Sequence, residues 1–202
     1  MSNASSQIST QSLQLLGSTT SPYVRRIRLF LSEHEYQFIN LDIFSPEGEA
    51  VLNKYNPTRK IPMLIDNEQV IYDSGVIFRY LQEKFEQPKL RWQQENLLTL
   101  IDAANDSMVE LFLCFRSALD TSEDRLFFNL QHQRIDKVLT ELNREVGEGS
   151  FDSWDYLAMS LYCLVDWAMF RERVDLLPFS QLLAFHEQHK QKQIIIETNP
   201  RG

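Results

Sequence analysis

Two positions in this chain combine a hydroxyl with the start of a helix, and both could hold an anion. Ser21 precedes Pro22 and then a run in which Val24, Ile27, Leu29, Phe30 and Leu31 recur at helical spacing. A serine before a proline reads as an N-cap followed by the first helical position. A hydroxyl placed there can accept from a backbone N–H and still donate its own proton to a ligand. Asp73-Ser74 opens a second helical pattern through Val76, Ile77, Tyr80, Leu81 and Phe85. The free N–H groups of such a helix start attract an anion such as a carboxylate. The Ser74 hydroxyl adds a donor, and the Asp73 carboxylate could receive an ammonium group or simply cap the helix. Ser18, Thr19 and Thr20 stand beside Ser21 as alternative hydroxyls, and capping alone would also account for Ser21.

Other chemistries find less support. His186 and His189 are close neighbours on what reads as a polar helix face, with no third ligand beside them, and His34 and His132 stand alone, so no metal site is expected. Cys114 and Cys163 lie in apolar helical stretches without CxxC spacing and read as reduced core thiols of a cytoplasmic protein. Lys plus Arg number 20 against 28 Asp plus Glu, a net charge of -8. With Arg25, Arg26 and Arg28 as the densest basic cluster, that charge would repel a phosphate backbone, and nucleic acid is not an expected partner. No apolar run reaches the roughly 20 residues needed to span a bilayer, so no membrane partner is expected either. Residues 1–11, rich in Ser, Thr, Asn and Gln, lack the basic and apolar regions of a signal peptide and read as a disordered tail outside the fold.

The elements that must position these residues follow from periodicity. Ser12 to Gly17 reads as a buried strand, Pro22 onward as a helix, and Tyr36 to Leu41 as a second strand, a unit that implies a parallel pair. A polar segment with Pro46 and Gly48 leads to a short helix over Glu49 to Tyr55, ended by Asn56-Pro57. Ile61 to Ile65 and Gln69 to Tyr72, joined at Asp66-Asn67, read as a tight hairpin. Beyond a break at Gln87-Pro88 the pattern is helical: Trp92 to Leu119, Asp124 to Val146, Asp152 to Phe170 and Phe179 to Gln193. Asp152 and Asp155 are placed as a D-x-x-D capping box, with Phe151 and Tyr156 as its hydrophobic staple. Residues 12–87 and 88–202 are thus expected as two domains.

Three segments of this sequence resemble the glutathione transferases, in particular bacterial serine-type enzymes similar to the tau and theta classes. They are Gly17 to Arg28, then Asn56-Pro57 to Leu64 with Tyr72-Asp73-Ser74 and Tyr80-Leu81, and Phe151 to Asp166. The resemblance implies an α/β thioredoxin-like N-terminal domain that binds glutathione, followed by an all-α C-terminal domain, assembled as a homodimer. It implies that Ser21 stabilises the glutathione thiolate and that Ile61-Pro62 is a cis bond exposing Ile61 backbone groups to the cysteinyl part of the tripeptide. By the same resemblance Lys60 reaches the glycyl carboxylate, and Asp73 and Ser74 hold the γ-glutamyl end. Asp73 is one methylene shorter than the usual Glu, and Phe44-Ser45-Pro46 lacks the lysine that tau enzymes carry there. A small electrophile or peroxide would bind between the domains, near Asp102, Asp106, Val109 and Phe112, with reduced glutathione as co-substrate and no further cofactor. The alternative implied is a non-catalytic protein of the same fold, acting by protein–protein binding as the stringent starvation proteins do.

Overall fold

The computed structural model describes residues 13–172 and 174–202, so the segment read as a tail lies outside the described residues. β1 (Gln14–Gly17), α1 (Pro22–Phe30) and β2 (Gln37–Asn40) form the expected unit, with β1 and β2 parallel. β3 (Met63–Asp66) and β4 (Gln69–Tyr72) form the antiparallel hairpin. β3 also runs antiparallel to β1, giving a four-stranded sheet of order β2-β1-β3-β4, the thioredoxin-like arrangement. Alternation along the strands divides the core. Leu15 and Leu64 join Val24 and Ile27 of α1 and Ile77 of α3 (Ser74–Lys84) on one face, and Leu16 and Met63 meet Leu41 and Leu52 on the other.

Two boundaries differ from the sequence reading. The hairpin ladder begins at Met63, leaving Ile61 and Pro62 outside it. α2 (Pro46–Tyr55) begins three residues before the expected Glu49, because Pro46 is the first helical residue and the Ser45 hydroxyl accepts from Gly48 N at 3.0 Å. Gly48 belongs to the helix for a steric reason: a Cβ there would lie 1.8 Å from the Asp42 carbonyl oxygen.

The remainder is helical: α4 (Trp92–Arg116), α5 (Leu126–Gly147), α6 (Tyr156–Arg171), α7 (Ser180–His189) and α8 (Gln193–Glu197). The expected last helix, Phe179 to Gln193, ends early at His189, and a further short helix that was not expected begins at Gln193. α6 is buried almost all round from Tyr156 to Ala168, as befits a central helix. Its cap is Asp155, whose carboxylate accepts from Leu157 N at 3.0 Å and Ala158 N at 3.1 Å. The expected box on Asp152 does not form, because a turn from Ser153 to Asp155 delays the helix by three residues. No described helix is long and apolar enough to cross a membrane.

α1 and the helical region are joined by a buried charge cluster. Arg25, 4% exposed, pairs with Asp166 of α6 at 2.5 Å and donates to the Ile195 carbonyl at 3.0 Å and the Thr198 hydroxyl at 3.2 Å. Asp166 also accepts from His186 Nε2 and Arg201 Nη1, each at 2.9 Å. His186 and His189 are thus buried, not on the polar face read from sequence, and the His186 ring stacks on Tyr162. Cys163 is buried and Cys114 half-buried, both free thiols. Burial works against the Asp166 charge, but the hydrogen bond from His186 and the positive fields of Arg25 and Arg201 overcome it and hold the carboxyl well below the usual carboxylate range.

Two stability measurements follow from this packing. Asp155→Ala should cost about 1 kcal/mol in urea unfolding, whereas Asp152→Ala should stay within about 0.5 kcal/mol of wild type. Asp166→Asn should cost about 3–5 kcal/mol at neutral pH, since it strands buried guanidiniums. A carboxyl held low in the folded state stabilises fully above its unfolded value, near pH 4, and that contribution fades as the pH falls. The gap between wild type and Asp166→Asn should accordingly narrow on acidification below about pH 4.

Candidate functional site

The strand register brings the separate motifs together. Met63 lies opposite Leu16 on one side and opposite Tyr72 on the other. Carried one residue further, the same antiparallel register sets Pro62 between Gly17 and Asp73. The Ile61–Pro62 peptide is cis. The turn after β1, the proline and the start of α3 therefore share one end of the sheet. Gly17 permits a close approach of α1, because a Cβ at this position would fall 2.4 Å from Val24 Cγ2.

Ser21 is the N-cap of α1, and its half-buried hydroxyl accepts from Val24 N at 3.3 Å. Its own proton has no acceptor among the described residues. Ser18 Oγ and Thr20 Oγ1 instead lie 3.1 Å apart and bond one another. Thr19 N donates to Asn40 Oδ1 at 3.2 Å, tying the turn to the end of β2. The turn is held from above by α6, where Trp167 Nε1 donates to the Thr20 carbonyl at 3.1 Å. Tyr23 turns away from the turn, and its hydroxyl donates to the Asp106 carboxylate on α4. Burial, reinforced by Asp106, raises its pKa far above the ordinary phenol value.

Ser74 sits at the start of α3 with 2% of its surface exposed. Its hydroxyl accepts from Arg26 Nη2 at 2.6 Å, which leaves the hydroxyl proton to donate elsewhere. Tyr156 of α6 donates to the Ser74 carbonyl at 3.4 Å and stacks on Phe78, with ring centroids 3.6 Å apart. Asp73 adopts φ 67°, ψ 133°, an uncommon conformation for a residue with a side chain, and one carboxylate oxygen caps Gly75 N at 2.8 Å. Lys60 is exposed, with its carbonyl accepting from Asn56 Nδ2 at 2.7 Å.

Arg26 organises this end of the molecule, and sequence reading passed over it as part of a basic cluster. It is 2% exposed and pairs with Asp102 of α4 at 2.5 Å while reaching Ser74 of α3. Burial opposes its charge, but Tyr156 and Asp102 outweigh that and raise its pKa. Asp102 is itself pushed upward by burial, an effect that Arg26 only partly offsets. Trp167 and Tyr156 were also missed. The available signal was a carboxylate embedded in apolar helix, Asp102 in LIDAA and Asp166 in LVDWA, each of which needs a buried cation.

The residues read as lining an acceptor pocket are divided by the structure. Asp102 and Asp106 are engaged by Arg26 and Tyr23 on α1. Phe112, half-buried, packs edge-on against Trp167 at 5.7 Å, the residue that bonds the Thr20 carbonyl, and Val109 is half-buried on the same helix. Among the described residues no group of three or more His, Cys, Asp or Glu is placed to hold a metal.

The chain is similar to proteins of one family. The model of the glutathione S-transferase N-terminal domain matches residues 15–89. An uncharacterised GST-like protein of Escherichia coli K12, YibF, is 29% identical over 173 residues, covering 79% of this chain and 83% of that protein. A glutathione transferase family member from Pseudomonas fluorescens Pf-5, solved with bound glutathione, is 28% identical with a TM-score of 0.77, covering 94% of this chain and 99% of that one. A glutathione S-transferase from Methylobacillus flagellatus, also with glutathione bound, shares the fold at a TM-score of 0.81 and 20% identity, over 93% of this chain and 98% of that one. A stringent starvation protein A homolog of Haemophilus influenzae is 29% identical over 90 residues, only 45% of this chain and 42% of that protein. With its thioredoxin-like sheet and helical C-terminal region the chain shares the fold of these glutathione transferases, and its residues 15–89 match the glutathione S-transferase N-terminal domain.

Proposed function

We propose that the protein is a glutathione transferase in which Ser21 stabilises the thiolate of bound glutathione for attack on a small electrophile or peroxide. The observation that carries this reading is the register that sets Pro62 between the Ser21 turn and the Ser74 helix start.

Glutathione suits the donors present. The unspent Ser74 proton and the first N–H groups of α3 offer an anion site for its γ-glutamyl carboxylate. The second Asp73 oxygen remains for its ammonium group, Ile61 lies outside the strand ladders and can pair with its backbone, and Lys60 is free to reach its glycyl end. Arg26 acts by positioning: it fixes the Ser74 hydroxyl as acceptor on one side so that the proton points to the other.

The magnitudes are sufficient. A thiol with a pKa of about 8.5 must come down by about two units, roughly 2.7 kcal/mol, to be mainly ionised at neutral pH. One hydrogen bond to a charged acceptor supplies about 1.5–3 kcal/mol and a helix N-terminus about 0.3–1 kcal/mol more. Ser21 can give the first and α1 the second. We include in this reading a homodimer, a cytoplasmic setting and a role in detoxification. The non-catalytic alternative is weaker, because the stringent starvation protein A homolog aligns with only 45% of this chain, whereas the family member solved with bound glutathione aligns with 94% of it.

Conjugation of chlorodinitrobenzene together with calorimetric titration of glutathione separates the roles. Ser21→Ala should lower kcat/KM by about ten- to a hundredfold while changing glutathione affinity less than about threefold. Ser74→Ala should instead weaken glutathione binding by about tenfold or more. Binding without conjugation, in wild type and Ser21→Ala alike, would transfer the assignment to the non-catalytic alternative.

A further inference from the structure

The peptide unit that leads into Ser21 is held at both of its polar atoms. Its N–H, on Ser21, donates to the Ser18 carbonyl at 3.1 Å within the turn. Its carbonyl, on Thr20, accepts from the indole N–H of Trp167 at 3.1 Å, across 147 residues of sequence. Among the described residues, every other hydrogen bond to residues 18–21 comes from the turn itself, from α1 or from Asn40 at the end of β2. The bond from Trp167 is therefore the contribution of the helical region. Because a peptide unit is planar, fixing its carbonyl and its N–H fixes the plane, and with it the Ser21 Cα from which the hydroxyl projects.

The indole is itself held in place. Trp167 is 5% exposed, Phe112 packs edge-on against it at 5.7 Å, and the Arg171 guanidinium lies 5.6 Å from its ring centroid. The residue before it on α6 is Asp166, which pairs with Arg25 of α1 at 2.5 Å. The donor and the helix that Ser21 caps are thus tied together one residue from the bond. A phenylalanine at this position would bury much of the same apolar surface. What the indole adds is one N–H, and it is spent on the carbonyl immediately before Ser21. Thr20 precedes the N-cap, so that carbonyl has no place in the α1 ladder and gains nothing for the helix.

We propose that Trp167 is a positioning residue for thiol activation, its indole N–H holding the Thr20–Ser21 peptide so that the Ser21 hydroxyl meets the sulfur of bound glutathione. The proposal rests on the glutathione transferase reading above. Misplacing a stabilising group by about 1 Å can cost up to about a hundredfold in rate. The groups assigned to glutathione itself, Ser21, Lys60, Ile61, Asp73 and Ser74, all precede α4 in the chain, and Trp167 is not among them. Loss of its N–H therefore acts on the ionisation of the thiol and leaves the affinity for the tripeptide nearly unchanged. A purely structural role would move stability without moving the thiol's titration.

Ultraviolet titration of glutathione bound to Trp167→Phe, with calorimetry for the Kd, reads these two effects separately. The thiolate midpoint should rise by about one pH unit relative to wild type, and kcat/KM at neutral pH should fall about tenfold. The Kd for glutathione should stay within about threefold of wild type. Benzothienylalanine incorporated at position 167 keeps the bicyclic shape and replaces the N–H by sulfur, and it should give the same shift; if Trp167→Phe does not fold, this replacement decides. In a Ser21→Ala background, Trp167→Phe should add no further shift. An unchanged midpoint in the folded variants, or a shift of the same size without the Ser21 hydroxyl, overturns the positioning role. A wild-type midpoint at the free thiol's value overturns the transferase reading itself.

Discussion

α1 carries two adjacent guanidiniums into the interior, and much of the molecule is arranged around neutralising them. A buried cation costs several kcal/mol unless it is paired and hydrogen-bonded. Arg25 is answered by Asp166, with Ile195 and Thr198 adding acceptors from α8 and the residue that follows it. Arg26 is answered by Asp102 of α4 and by the Ser74 hydroxyl of α3. Such pairs contribute little net stability over apolar residues of the same volume, but breaking one is costly. Their effect here is to admit one seating of α1 against four other helices.

That seating reaches the candidate site along two routes. Through Arg26 it fixes the Ser74 hydroxyl with its acceptor side filled. Through α1 itself it fixes the N-terminal cap, Ser21, while α6 reaches over with Trp167 to hold the Thr20 carbonyl. The strand register contributes the third element by setting Pro62 between the two helix starts. Local turn chemistry and long-range charge pairing thus meet at one end of the sheet.

The parts legible in the sequence were those decided by neighbours in the chain. Ser21 before Pro22, Asp73 before Ser74, and the hairpin between Met63 and Tyr72 all follow from local conformational preference, and each is present. What was not legible depends on partners far along the chain. Asp152 and Asp155 carry equal capping potential, and only the turn at Ser153 selects the second. Pro46 and Gly48 look like loop residues until the Asp42 carbonyl is seen to leave no room for a side chain. His186 read as solvated because the Asp166 it bonds lies 20 residues earlier in sequence. Arg26 read only as one of a basic cluster because its partners are 48 and 76 residues away. Periodicity reports which face of a helix is apolar, and it is blind to a charge whose counter-charge comes from another element.

The claim on which the account stands is that this site lowers the ionisation of a thiol it binds. Ultraviolet titration of the thiolate band of glutathione bound to the wild-type protein measures that directly. The account predicts a midpoint about two pH units below the free thiol's value of about 8.5. A midpoint at the free value, with glutathione demonstrably bound, would contradict it.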